Sequence, residues 1–180
     1  MKYLLTASLF VCYINVFAQL EGTDFPSMDT QTVENEKVNL PKDVNDKYTL
    51  VALAYSKKAE KDLSTWFSPI YNQFIREATG VFSSFSYDIN VYFVPMFTGI
   101  KSAATGAAKK KAAKELDPLL IPNILFYKGN LKPYKEALEF DKKDVPYLFL
   151  IDTNGKIAYA TLGAYSDQKM EDMEEFLDSL

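Results

Sequence analysis

Histidine is absent from the 180-residue chain, and cysteine occurs once, at Cys12. Without histidine no Ser-His-Asp or Cys-His constellation, histidine-ligated metal site or histidine acid–base pair can form. Glycine is scarce too, and no GxGxxG or GxxxxGKS/T loop is present to cradle nucleotide phosphates. An excess of basic residues is also missing: 20 Lys and Arg stand against 24 Asp and Glu, a net charge of -4 that argues against a general nucleic-acid binder. What is present is an ordinary globular composition, 48% hydrophobic and 14% aromatic, enough for one domain with one core.

The first 18 residues have the pattern of a secretory signal peptide. Lys2 precedes an apolar run from Leu4 to Ile14, and Val16 and Ala18 stand three residues and one residue before a cleavage point. The run is shorter than the roughly 20 residues needed to span a bilayer. Leu9 sits three residues before Cys12 as in a lipoprotein signal, but Val11 is bulkier than that processing accepts. Cleavage after Ala18 leaves 162 residues, a charge of -5 and no thiol. The expected location is periplasmic or secreted. Disulfides are common in such compartments; a chain of this length instead buries roughly 70% of its unfolded surface and does not need them.

Residues 19–37 are polar with little periodicity and read as a mobile or loosely docked N-terminal arm. Residues 38–41 suit a short edge strand, because Pro41 cannot donate to a ladder. The unbroken apolar run 48–55 has the pattern of a strand covered on both faces. Leu63, Phe67, Ile70, Phe74, Ile75 and Ala78 recur at helical spacing, with Asp62 or Ser64 as cap and a kink at Pro69. A second buried strand follows at 89–96, so the first two strands form a parallel pair with a right-handed crossover.

Residues 101–116 form a lysine-alanine helix ended by Pro118. Its lysines suit a solvated face better than a membrane or an acidic partner. A third strand at 123–127 and a short helix at 134–140 precede a β-hairpin, residues 147–152 and 157–162, whose Asn154-Gly155 supplies positive φ angles. The closing helix has Ser166 as its cap and Met170, Met173, Phe176, Leu177 and Leu180 on one face.

The run Asp144-Val145-Pro146-Tyr147-Leu148-Phe149-Leu150-Ile151-Asp152-Thr153-Asn154-Gly155-Lys156-Ile157 resembles the redoxin branch of the thioredoxin superfamily, where a cis-proline precedes an apolar strand and an Asp-x-x-Gly-x-Ile hairpin. Within that branch, Tyr127-Lys128-Gly129-Asn130-Leu131 with Tyr134 and Leu138, and Gly163-Ala164, are similar to mitochondrial ATP synthase assembly factors of peroxiredoxin-like fold. The resemblance implies an α/β, thioredoxin-like domain over residues 38–180, a central mixed β-sheet with helices on both faces and an inserted Lys/Ala helix. It also implies a cis bond at Val145–Pro146.

Thiol-reducing redoxins carry Cys-x-x-Cys between the first central strand and its helix. Counting back from the helix proline puts those positions at Lys61 and Ser64; counting forward from the strand puts them at Lys58 and Lys61. Neither register holds a cysteine, and a serine without a base does not replace a thiolate. Asp141, Asp144, Asp152 and the Glu171-Asp172 and Glu174-Glu175 pairs fit turn chemistry and a solvated helix face rather than paired-acid catalysis or Ca²⁺ binding. The expected function is that of an exported, redox-inactive binding module or chaperone-like assembly factor with a protein or peptide partner and no catalytic residue, cofactor, metal or nucleic acid. The alternative is a redoxin-family oxidoreductase, or another enzyme acting through chemistry the motifs do not reveal. The peptide-facing surface of the fold places Lys57, Lys58, Lys61 and Trp66 opposite Val145, Pro146 and Tyr147, with the lysines steering an acidic ligand.

Overall fold

A computed structural model describes residues 19–76 and 87–180. The expected signal peptide, Cys12 and Ala78 lie outside those residues. Seven strands form one mixed sheet: β1 (Met28–Gln31), β2 (Lys37–Leu40), β3 (Thr49–Ala54), β4 (Asn90–Thr98), β5 (Phe126–Gly129), β6 (Tyr147–Ile151) and β7 (Ile157–Leu162), in the order β2-β1-β5-β4-β3-β6-β7. β3, β4 and β5 run parallel, and every other pairing is antiparallel.

The central strand explains the layering. All six residues of β3 are buried, so both of its faces are covered. Leu50 and Ala52 meet α1 (Lys57–Ser64), α2 (Phe67–Ile70) and α5 (Asp167–Asp178) through Ala59, Leu63, Trp66, Ile70, Met170 and Met173, and α3 (Thr105–Glu115) packs on that same face. Val51 and Leu53 meet the other cluster, closed by α4 (Lys132–Ala137) and by Leu20, Phe25 and Met28 from the N-terminal segment. Helices thus lie on both faces, as expected of an α/β fold of this class.

The N-terminal segment differs from the expected arm. β1 pairs with both β2 and β5, and Met28 is fully buried. Its burial alternates, Met28 and Thr30 inward with Asp29 and Gln31 outward, so only one apolar residue marks a four-residue strand. Periodicity over so short a span is not readable.

The first helix begins earlier than its apolar stripe suggests. Ser56, rather than Asp62 or Ser64, caps it, accepting from Ala59 N at 3.0 Å. The helical path breaks at Thr65-Trp66, resumes as α2 with Pro69 inside it, and widens into a π turn over Tyr71–Ile75. Proline supplies no N–H for an i→i−4 bond, which suits such irregularity. The lysine-alanine helix is regular only from Thr105, after a 3₁₀ segment, Gly99–Ala104.

Two turn details are corrections. In the β6–β7 hairpin only Gly155 has positive φ, at 79°; Asn154 does not. Asp152 Oδ1 accepts from the backbone N–H of Asn154 (2.9 Å) and Lys156 (2.8 Å), so the aspartate closes the loop and the glycine alone takes the left-handed position. The Val145–Pro146 bond is not cis; among the described residues the cis bond is Leu40–Pro41. Pro146 O accepts from Gly163 N at 2.9 Å, continuing the β6–β7 ladder with the trans geometry that X-Pro bonds favour by default. Leu180, expected on the apolar face of α5, is 63% exposed because the helix stops at Asp178.

Candidate partner-binding surface

The end of β3 and the start of α1 form the place where a thiol pair would stand. Lys57, Lys58 and Lys61 are all exposed there, and none makes an ion pair among the described residues. The Ser64 hydroxyl donates to Lys61 O at 2.7 Å, a local backbone contact with no base beside it. No cysteine or histidine occurs anywhere in residues 19–180. Among the described residues no group of three His, Cys, Asp or Glu could hold a metal ion.

The aromatic half of the expected peptide surface is not available for contact. Trp66 is fully buried; its indole Nε1–H donates to Gly163 O at 2.9 Å and its ring meets Tyr165 edge-on at 5.3 Å. Trp66 is therefore a bolt between α1 and the end of β7. Pro146 is buried, and Tyr147 is 1% exposed, with its hydroxyl bonded to Lys142 N (2.7 Å) and Lys142 O (3.1 Å). Tyr55 stacks on Phe140 at 5.4 Å and donates to Lys142 O, so the loop before β6 is tied down by two phenols. Burial pushes the Tyr55 hydroxyl up to about 12 and raises that of Tyr147 as well. Val145 is half-buried. The lysines are accessible while Trp66, Pro146 and Tyr147 belong to the core.

A different concavity opens beside those lysines. It lies between α1–α2 and α3, occupies about 690 Å³ open to solvent, and is floored by Phe93, Phe97, Ile124 and Phe126. Phe67 packs on Phe93 at 4.6 Å, and Phe97 stacks on Phe126 at 6.2 Å. Ala108, Ala112 and Leu116 form the opposite wall, and Glu60, Lys111 and Glu115 stand at the rim. Lys57 lies about 60° and Lys61 about 100° round α1 from Glu60, on the face opposite the buried Ala59 and Leu63, so they adjoin the Glu60 side of the rim without lining the groove. Lys58 is about 160° round the helix from Glu60 and faces away. The phenylalanines and alanines were visible as separate helix and strand residues; only β4 and α3 coming together makes them one surface.

α3, which packs through Ala108, Ala112 and Leu116, is also tied down by one buried cation. Lys109 is 6% exposed and donates to Gln31 Oε1 (2.8 Å) and Asn35 Oδ1 (2.9 Å), with its ammonium 5.7 Å from the Phe126 centroid. Desolvation pulls its pKa down. Lys110, Lys111 and Lys114 are exposed, Lys111 paired with Glu115 at 3.6 Å, so those lysines do form the solvated face expected of them. No helix among the described residues is long and apolar enough to cross a membrane.

A family model described as ATP10 protein matches residues 6–180. No curated protein matches the sequence. Solved structures share the fold at low identity. A thiol:disulfide interchange protein from Bacteroides sp. is 19% identical with a TM-score of 0.56, covering 88% of this chain and 90% of that one. BsSco, a member of the Sco family of cytochrome c oxidase assembly proteins, is 12% identical with a TM-score of 0.53, covering 86% and 94%. The reduced 2-Cys peroxiredoxin of Plasmodium vivax is 14% identical with a TM-score of 0.52, covering 89% and 95%. The fold is thus thioredoxin-like.

Proposed function

Because the chain belongs to the ATP10 protein family of ATP synthase assembly factors, we propose that it is an exported, redox-inactive assembly factor that holds a segment of a protein partner in the groove between α1 and α3. The observation that carries this reading is an open, aromatic-floored groove rimmed by Glu60, Lys111 and Glu115 and adjoining the lysine face of α1, in a thioredoxin-like fold whose residues 19–180 contain no thiol. Phenylalanine floors supply apolar burial, and lysines exposed on the adjoining face of α1 raise the encounter rate with an acidic segment without contributing much to affinity. Nothing in this arrangement moves electrons, since the attacking thiolate of a redoxin is missing from the α1 terminus.

Export rests on the Val16-Phe17-Ala18 cleavage pattern. The intact mass of the exported protein is expected to match a chain starting at Gln19, and a retained, lipid-modified Cys12 would overturn that processing.

Filling the groove tests its use. Ala112→Phe places a ring in the groove from a half-buried, helix-compatible position, and Lys57→Glu with Lys61→Glu reverses the charge of the α1 face that adjoins it. Each is expected to weaken capture of the native partner by tagged protein about tenfold, or roughly 1.4 kcal/mol, while shifting the thermal midpoint little. Capture at the wild-type level with both changes present would show that the groove is not the docking surface.

A further inference from the structure

The sheet ends in two edges of different character. β2 carries Lys37 and runs into Pro41, two devices that discourage further pairing. β7 has neither: Ile157-Ala158-Tyr159-Ala160-Thr161-Leu162 contains no charge and no proline. Its first rung is already taken, because Ile157 N donates to Thr23 O (2.9 Å) and Ile157 O accepts from Gly22 N (2.8 Å). The segment supplying these bonds then turns away, with Thr23 N bonded to Leu20 O at 3.1 Å. No described segment pairs with the edge beyond Ile157.

The free backbone groups can be assigned. Gly163 N bonds to Pro146 O on the β6 side, and the ladder pairs Leu148 with Thr161 and Leu150 with Tyr159. Alternation turns the N–H and C=O of Ala160 and Leu162 outward. The register shift at Leu150/Ile151 inserts Ala158, which re-phases the strand so that Ile157 faces outward too. The open edge thus continues the lane that residues 22–24 begin.

The surroundings of this lane are acidic. Tyr159 packs on Phe176 of α5 at 5.6 Å, and Asp172 and Glu21 both act on its hydroxyl. α5 carries Asp167, Glu171, Asp172, Glu174, Glu175 and Asp178 against one lysine, Lys169, whose ammonium is engaged by Ala164 O at 2.7 Å. A second copy pairing antiparallel on β7 would bring two such helices side by side, and like charges oppose that arrangement.

We propose that the outer edge of β7 accepts an extended, lysine- or arginine-bearing segment of a partner protein as an eighth strand, hydrogen-bonded to Ala160 and Leu162 and flanked by Glu21 and Asp172. Main-chain bonds supply the affinity and the acidic rim selects the charge of the segment. The surface is separate from the α1–α3 groove and stands whether or not that groove binds a partner.

The probe is a heptapeptide of alternating lysine and valine, compared with its glutamate–valine counterpart and with a lysine–valine peptide N-methylated on alternate residues. Titration into the full protein is followed by amide hydrogen exchange. Exchange at Ala160 and Leu162 is expected to slow about tenfold or more with the basic peptide, and to stay unchanged with the N-methylated one. Glu21→Lys with Asp172→Lys, both exposed positions, is expected to weaken basic-peptide binding about tenfold and to reverse the preference toward glutamate–valine. Ala160→Pro removes an outward N–H and is expected to abolish the protection; the charge variants carry the test if that protein does not fold. Equal affinity for both charged peptides, no protection at these two amides, or protection that grows with protein concentration alone would overturn the proposal, the last in favour of a second copy.

Discussion

Trp66 is the chain's single tryptophan, and its one polar atom is spent on a backbone carbonyl 97 residues away. Replacing it with phenylalanine keeps most of the ring but leaves Gly163 O buried without its donor, which costs about 1–3 kcal/mol. Urea unfolding of Trp66→Phe is expected to show that loss as a lower midpoint at unchanged slope. The phenols give a second residue-level expectation. Burial raises Tyr55 and Tyr159 to about 12, from an ordinary value of 10.0. Tyr87 and Tyr134 are pushed up as well, chiefly by burial. A phenol whose folded pKa exceeds its unfolded one contributes stability that is complete below about 10 and is lost as pH climbs toward the folded value. Lys109 and Lys169, lowered by burial, oppose this trend over the same range. Tyr92, Tyr147 and Tyr165 are raised too, so among the described residues seven phenols stand against two lysines, and the urea midpoint is expected to fall above pH 10, in step with phenolate absorbance. A midpoint that held constant to pH 12 would remove the tyrosines from the account.

At the scale of elements, β1 is the piece whose importance its composition hides. Met28 is fully buried between β2 and β5, and Phe25 meets Phe149 edge-on at 5.9 Å. Met28→Ala is expected to cost about 2–5 kcal/mol in chemical denaturation, the range for emptying a large core site. A change of a few tenths of a kcal/mol would mean that the segment is only loosely docked. α3 depends on the same hairpin through Lys109, which reaches Gln31 and the Asn35 turn. Lys109→Met keeps the apolar stem over Phe126 and deletes both hydrogen bonds. Amide exchange in α3 and in the turn at residues 32–36 is expected to speed up together, because one contact holds both. Faster exchange in the turn alone would show α3 to be anchored by its alanines.

The whole molecule joins a redoxin sheet to a chain without thiols beyond Cys12. Added to a mixture of insulin and dithiothreitol, the protein is expected to leave the rate of insulin precipitation unchanged, and acceleration would require chemistry that residues 19–180 do not carry. Residues 19–180 can form no disulfide, so stability comes from non-covalent contacts, chiefly the two apolar clusters, one on each sheet face. No buried side-chain nitrogen or oxygen among the described residues lacks a hydrogen-bond partner, so the interior bears little desolvation cost.

What the sequence determined by itself is local. The unbroken run of β3, the Asp152–Gly155 hairpin and the Ser166-capped α5 were legible because each encodes its own burial pattern within a few residues. The fold class followed from their order and from the redoxin-like hairpin. The candidate surface was legible only in its lysines, which are exposed because they occupy the face of α1 opposite the buried Ala59 and Leu63. Tertiary structure decided the rest. Trp66 and Tyr147 read equally well as docking or core residues until Gly163 and Lys142 were brought to them. The groove exists because α3, packed through Ala108, Ala112 and Leu116 and bonded by Lys109 to a residue 78 positions earlier, comes to lie beside β4 and β5. Periodicity reports which face of an element is buried, whereas the identity of its neighbour depends on contacts between residues far apart in sequence, which no local pattern records.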